Sequence, residues 1–149
     1  MNQLIFSKLN NEKKIVEPYI GVHYRNTDIK NNIIFFIKKI KALFKLRKVK
    51  TVFLATDDAN ALKNFRQRLP GFKIIQLSNP KPNVKNQHYS STSKEDCYNQ
   101  IYGTLRDLYF IFQSKYFIPS YNSGLSRFII MQMAKKENIF NLESKTIYV

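Results

Sequence analysis

The chain has 149 residues, 44% of them hydrophobic and 14% aromatic, which is enough to bury one core but too few for two full domains. With 25 Lys and Arg against 10 Asp and Glu, the formal net charge of +15 favours anionic partners such as nucleic acids, acidic membrane surfaces or phosphorylated small molecules. The single cysteine, Cys97, excludes an internal disulfide.

The sequence carries no pattern for metal binding or membrane insertion. The two histidines, His23 and His88, are far apart, so we expect no metal site and no cofactor. No apolar run reaches the roughly 18 residues of a membrane-spanning helix. The first 14 residues lack a signal-peptide pattern. We therefore expect no integral membrane segment and a cytoplasmic location.

Strand and helix patterns alternate along the chain. The predicted elements are, in chain order, strand Tyr19–Tyr24, helix Asn31–Lys48, strand Thr51–Thr56, helix Ala59–Leu69, strand Phe72–Leu77, helix Asp96–Phe112, strand Lys115–Pro119, helix Ser123–Lys136 and strand Asn138–Leu142. One long polar loop, Ser78–Lys94, interrupts them. This order predicts an α/β fold with a Rossmann-like, doubly wound parallel sheet, formed by residues 18–149 after a lead-in segment 1–17.

Polar side chains follow three of the predicted strands where each strand ends. They are His23, Arg25, Asn26, Thr27 and Asp28 after the first, Asp57 and Asp58 after the second, and Ser120, Asn122 and Ser123 after the fourth. Ligands of open α/β sheets bind beyond the carboxyl ends of the strands. The turn Ser120–Gly124 also opens a helix, whose free N–H groups favour phosphate. The pattern predicts a phosphorylated ligand, although neither GxGxxG nor GxxxxGK[ST] is present.

Three segments resemble motif blocks of the α1,6-fucosyltransferases and the nodulation fucosyltransferases. Gly21–Asp28 (GVHYRNTD) resembles their GVHxRRTD signature, and Val52–Asp58 (VFLATDD) resembles their strand ending in ATDD. Asp107–Arg127 (DLYFIFQSKYFIPSYNSGLSR) resembles their third block. The blocks occur in the family's order and at similar spacing. The resemblance implies the C-terminal, Rossmann-like half of a GT-B-type glycosyltransferase.

The resemblance also implies a function. The chain would bind GDP-fucose for inverting, metal-independent transfer of fucose to a hydroxyl of a glycan acceptor. Arg25 would be the catalytic cation at the donor diphosphate. The implied donor-binding set is His23 and Arg25 at the pyrophosphate, Asp107 at the nucleotide, Asn122 and Ser123 at the phosphates, and Asp28, Asp57 and Asp58 around the donor pocket.

The chain departs from the family pattern in three places. Asn26 stands where the signature has a second Arg, and Ile29 stands where the α1,6 branch has Lys. Only about 17 residues precede the region of resemblance, which begins near Pro18, whereas the family has a preceding half that helps to receive the acceptor. We therefore expect a truncated or inactive fragment whose partner is a missing N-terminal half, with little or no transfer activity of its own.

Simpler interpretations apply to each of these residues when it is taken alone. A histidine beside a buried strand is more often a hydrogen-bonded core residue. Asp57 and Asp58 are ordinary helix-capping residues, and Asp107 could pair with Arg106. The rival function is a basic nucleic-acid-binding α/β module, but the aromatic residues fall mostly on core-facing positions, so we expect no nucleic-acid partner. An inactive remnant without a ligand is the third interpretation.

Overall fold

The alternating strands and helices are present in the computed structural model, which describes residues 7–26, 30–80 and 93–133. Besides a short helical segment at residues 7–10, these ranges contain β1 (Tyr19–Tyr24), α1 (Ile33–Arg47), β2 (Thr51–Thr56), α2 (Ala61–Arg68), β3 (Lys73–Ile75), α3 (Lys94–Gln113), β4 (Tyr116–Ile118) and α4 (Gly124–Met133).

The strands form one parallel sheet in the order β3-β2-β1-β4. Strand β1 lies inside the sheet and pairs with β2 from Tyr19↔Thr51 to Tyr24↔Thr56 and with β4 around Gly21↔Phe117. Every residue of β1, β2 and β4 is buried. Continuous burial is expected of parallel strands that helices cover on both faces. The predicted doubly wound α/β fold is confirmed.

Alternate side chains of the strands build two separate cores, one on each face of the sheet. On the first face, Ile20, Val22 and Leu54 pack with Ile40 of α1 and Phe65 of α2. On the second face, a set from β1, β2 and β4 packs with α3 and α4. Its members are Tyr19, Phe53, Ala55, Phe110, Ile111, Phe117, Ile129 and Met133. The chain crosses from the first face to the second between β3 and β4.

Local hydrogen bonds explain where the element bounds differ from the prediction. Helix α3 begins two residues early because the Ser93 hydroxyl accepts from the Asp96 N–H at 3.0 Å. Helix α2 begins at Ala61 because the Asp58 side chain accepts from the Asn60 N–H at 2.8 Å, which forms a turn before the helix. Strand β3 is shorter than predicted because it pairs with β2 at only three positions. The predicted strand Asn138–Leu142 lies outside the described residues.

The described part of the lead-in segment, residues 7–17, packs against α3. Leu9 is buried. The Glu12 carboxylate accepts from the Tyr102 hydroxyl at 2.8 Å and lies 3.7 Å from the Arg106 guanidinium. Glu17 pairs with Lys73 beside the sheet. Within the described ranges, no helix is long and apolar enough to cross a membrane.

Gly21 allows α3 to approach the centre of β1. A Cβ atom at this position would lie 2.7 Å from the Ser114 Oγ and 3.0 Å from the Ser114 Cβ. Ser114 is buried, and its hydroxyl donates to the Ile111 carbonyl at 2.6 Å, so this side chain has little room to move. A Cβ atom added at Gly103, in the middle of α3, would have no neighbouring heavy atom within 4 Å.

We therefore expect opposite effects from two glycine substitutions. Gly21→Ala should lower the free energy of unfolding by about 1–3 kcal/mol through overpacking. Gly103→Ala should raise it by about 0.5–1 kcal/mol because alanine restricts the unfolded chain and favours helix. Urea unfolding of both variants is the measurement. A Gly21→Ala variant as stable as the wild type would contradict the packing described for α3 and β1.

Candidate functional site

The backbone just beyond β1 is tied to the segments that follow β2 and β4. The Arg25 N–H donates to the Ser120 Oγ at 2.9 Å, and Ser120 is fully buried. The Asn26 N–H donates to the Asp57 Oδ1 at 2.8 Å. Because β1 lies between β2 and β4, these two bonds hold three carboxyl ends of the sheet together.

Asn26 stabilises the same edge through its side chain. Its Nδ2 donates to the Asp58 Oδ2 at 2.9 Å, and its Oδ1 accepts from the Asn31 N–H at 3.2 Å. The residue that replaces the second Arg of the motif therefore supports the backbone between β1 and α1. Asp58 also accepts from the Asn60 N–H at 2.8 Å, so it is engaged in local structure on both sides.

A cavity of about 280 Å³ lies beyond the carboxyl ends of β1 and β2, with α3 as its other wall. Four of the eight predicted site residues line it, namely His23, Arg25, Asp57 and Asp107. The segment after β3 contributes Ser78, Asn79 and Pro80. The cavity thus lies at the carboxyl edge of the sheet, where open α/β sheets bind their ligands.

His23 is a neutral side chain in this cavity. It is only 7% exposed, and its Nδ1 lies 2.7 Å from the Ser126 Oγ. Burial lowers the pKa of His23 to about 4, with Asp57 opposing the change and Arg25 adding to it. The uncharged ring has one N–H to donate, and the contact with Ser126 fixes its orientation.

Arg25 places a cation at the cavity wall. Its Nε lies 3.8 Å from the Asp57 Oδ2, and both side chains are about one-fifth exposed. The Arg25 carbonyl accepts from the Asn31 side chain, which holds the backbone at this point. An anionic ligand in the cavity would contact an Arg25 guanidinium that already has the Asp57 carboxylate beside it.

Asp107 is the most strongly perturbed acid of the cavity. Burial raises the pKa of Asp107 to about 7, against smaller opposing effects of the Ser78 hydroxyl and the Arg106 charge. Its Oδ1 is shielded from solvent and accepts no hydrogen bond from the described residues. Arg106 instead donates to the Leu77 carbonyl and lies near Glu12. The structure therefore does not contain the direct Asp107–Arg106 pair that was the alternative interpretation.

The other predicted residues lie elsewhere. Asn122 is exposed and Ser123 is fully buried, with no hydrogen-bond partner for its Oγ among the described residues. These two residues and Asp58 are not part of the cavity lining. Asp28 falls in the range 27–29 that the structure does not describe.

Sequence reasoning missed the wall that α3 provides. Besides Arg106, Leu108 and Ile111, its cavity-lining residues are Asp96, Asn99, Gln100, Gly103, Thr104 and Asp107. Their spacing of three and four along the helix was the available signal, because it places them on one face with Asp107. It also missed Ser126, whose contact with His23 has no signature in the sequence. No group of three or more potential metal-binding side chains occurs among the residues described.

We predict that Asp107 makes stability depend on pH. An unfolded Asp107 ionises near 3.8, whereas the folded protein keeps this proton up to about pH 7. The stabilisation from this group is therefore complete below about pH 4 and is lost as the pH rises through 7. The free energy of unfolding of Asp107→Asn minus that of the wild type should therefore increase by on the order of 1–3 kcal/mol as the pH rises from about 5 to about 8.

The difference in free energy of unfolding between the wild type and Asp107→Asn isolates the effect of Asp107, because His23 is present in both. The pKa of His23 is lowered to about 4, so its own contribution has the opposite sign and is lost as the pH falls from 6.5 towards 4. Urea unfolding across this pH range is the measurement. A stability difference that does not change with pH would show that Asp107 is not buried as described.

Comparison with known proteins gives a likeness in structure but none in sequence. No family model matches the chain, and no curated protein matches it. Among solved structures, the crystal structure of POFUT1 in complex with GDP matches with a TM-score of 0.58 and 11% sequence identity, over 93% of this chain and 45% of that chain. This chain thus spans less than half of that structure. The likeness shows that the chain shares the α/β fold of the matched part of the POFUT1 structure, without singling out the α1,6 branch.

Proposed function

We propose that this chain is the nucleotide-sugar-binding half of a fucosyltransferase and holds GDP-fucose in the cavity beyond β1 and β2. One observation carries the proposal. The fold brings His23 and Arg25 of the first motif and Asp107 of the third into one cavity beyond the carboxyl ends of β1 and β2. POFUT1, which has a similar fold, is known in complex with GDP.

The nucleotide is matched by the unpartnered acceptor on α3. Guanine carries N–H donors on its Watson–Crick edge, and Asp107 has a shielded Oδ1 without a donor among the described residues. A buried acceptor left without a hydrogen bond is costly, so a base that supplies one is favoured. Adenine offers an acceptor where guanine has its ring N–H. The site therefore favours GDP over adenine nucleotides.

The diphosphate is matched by Arg25 and His23 on the sheet side of the cavity. The planar guanidinium of Arg25 suits a phosphate, and the neutral ring of His23 adds an uncharged N–H. During transfer, the bond between C1 of fucose and the β-phosphate oxygen breaks, and its electron pair stays on GDP. Arg25 stabilises that charge as it develops, which lowers the barrier without a metal ion.

The acceptor hydroxyl attacks C1 from the face opposite the departing diphosphate and gives its proton to a base outside this chain, so a new C1–O bond forms and the configuration at C1 inverts. The donor residues lie on one side of a cleft, and catalysis requires both substrates in near-attack geometry. Because this chain spans 45% of the POFUT1 structure, the proposal assigns reception of the glycan acceptor to a further half. Binding of the donor and transfer of fucose are therefore separable properties.

The proposal is tested by calorimetric titration of the chain with GDP-fucose, GDP, ATP and NAD, each with and without EDTA. We expect the guanine nucleotides to bind more tightly than the other two, and the chelator to have no effect, because the charge comes from Arg25. Equal responses to all four nucleotides, or binding only with added Mg²⁺ or Mn²⁺, would contradict the proposal.

We predict a specific loss when Arg25 is replaced. Charge-assisted bidentate pairs contribute roughly 1.5–3 kcal/mol, so Arg25→Ala should weaken GDP binding by about 10- to 100-fold. Arg25→Lys should recover only part of this affinity, because an ammonium lacks the planar fork. The matched control is Arg68→Ala, at an exposed position near the end of α2. Unchanged affinity in Arg25→Ala would place the diphosphate elsewhere.

A further inference from the structure

Among the described helices, positive charge is concentrated on those that cover one face of the sheet. Helix α1 with the three residues up to Lys50, together with α2, carries ten Lys and Arg and no Asp or Glu. Helices α3 and α4, on the other face, carry three basic and three acidic residues. Since α1 and α2 pack on the same core, their charges form one surface. This surface attracts anions independently of the cavity at the sheet edge.

The outward side of α1 combines this charge with large apolar side chains. Its inward side is fully used by the core through Ile40 and its neighbours. On the outward side, Phe35 is 56% exposed, Ile34 is 49% exposed and Leu46 is 61% exposed. Lys38 and Lys45 lie between them and are also exposed. Helical spacing places these five residues on one stripe, which we call the α1 outer face.

We propose that the α1 outer face is a peripheral docking surface for an anionic lipid bilayer. Helices that lie in the membrane interface present lysines beside Phe or Leu, so that the apolar side chains enter the headgroup region while the charges meet acidic lipids. The 15 residues of α1 span about 22 Å, which gives one contact line along the bilayer surface.

The composition of α1 favours a lipid surface over a nucleic acid. Nucleic-acid contacts draw heavily on Arg and on Ser, Thr, Asn, Gln or Tyr side chains that hydrogen-bond phosphates and bases. Helix α1 contains no uncharged polar residue, and its charges are Lys except for Arg47 at its end. Exposed Phe35, Ile34 and Leu46 have no role on a phosphate backbone, whereas they suit insertion between lipid headgroups.

The test is co-sedimentation of the full chain with vesicles of phosphatidylcholine alone or with roughly 30% phosphatidylserine. We expect binding only to the acidic vesicles, and weaker binding as salt rises. Lys38→Glu/Lys45→Glu should lower the partition coefficient on the order of 10- to 100-fold. Phe35→Ser/Leu46→Ser should also weaken binding, by roughly tenfold, without changing the charge.

The matched control is Lys13→Glu/Lys14→Glu, which makes the same change in net charge. Both lysines are exposed and lie in the segment that packs against α3, away from α1. This variant should keep most of the vesicle binding. Thermal melting of each variant separates loss of docking from loss of fold.

Three results would overturn the proposal. The first is no binding of the full chain to acidic vesicles. The second is an equal loss in the Lys13→Glu/Lys14→Glu control, which would show an effect of net charge alone. The third is tighter binding to a single- or double-stranded oligonucleotide that depends on Lys38 and Lys45 but not on Phe35 and Leu46, which would identify a nucleic-acid interface instead.

Discussion

Two hydrogen bonds from backbone N–H groups just beyond β1 to side-chain oxygens hold the candidate site together. The N–H groups of Arg25 and Asn26 donate to Ser120 and Asp57, which follow β4 and β2. A strand that ends without such partners leaves its last N–H groups to water, and its end is free to move. Here the central strand is fixed on both sides, so the position of the Arg25 side chain is set by the sheet itself. The cavity, its charges and its proposed ligand all depend on that placement.

Burial then decides which charges the cavity presents. His23 is neutral because desolvation lowers its pKa to about 4, and Asp107 titrates near neutrality because desolvation raises its pKa to about 7. Arg25 keeps its charge beside Asp57. Arg25 thus lies on the sheet side of the cavity, and Asp107 lies on the wall formed by α3. A ligand with a diphosphate at one end and N–H donors at the other satisfies both walls.

The sequence was sufficient to predict the architecture because apolar runs of six residues and helices of period 3.6 are local signals. The parallel sheet, and the side of α1 that packs on it, follow from residues such as Val22, Leu54 and Ile40. The hydrophobic pattern of the sequence alone assigns these residues to the core. The carboxyl-edge location of His23, Arg25 and Asp57 follows from strand ends and the rule for open sheets.

The rest of the site depends on contacts between distant residues, which pattern cannot supply. The pairing of His23 with Ser126, and the role of Asn26 as a support for Asp58, join segments that only the folded chain brings together. The motif resemblance indicated Ser123 as a phosphate contact, yet its side chain is buried outside the cavity lining. The roles given to Asn122, Ser123 and Asp58 in donor binding stay predictions.

Assignment of the backbone amides by NMR and titration with GDP tests the central claim directly. If the cavity beyond β1 and β2 is the nucleotide site, the largest shift changes occur at His23, Arg25 and Asp57 and along the α3 face that carries Gln100, Thr104 and Asp107. The amides of α1 and α2 should change little. Shift changes concentrated on α1 and α2, or none at saturating GDP, would contradict the account.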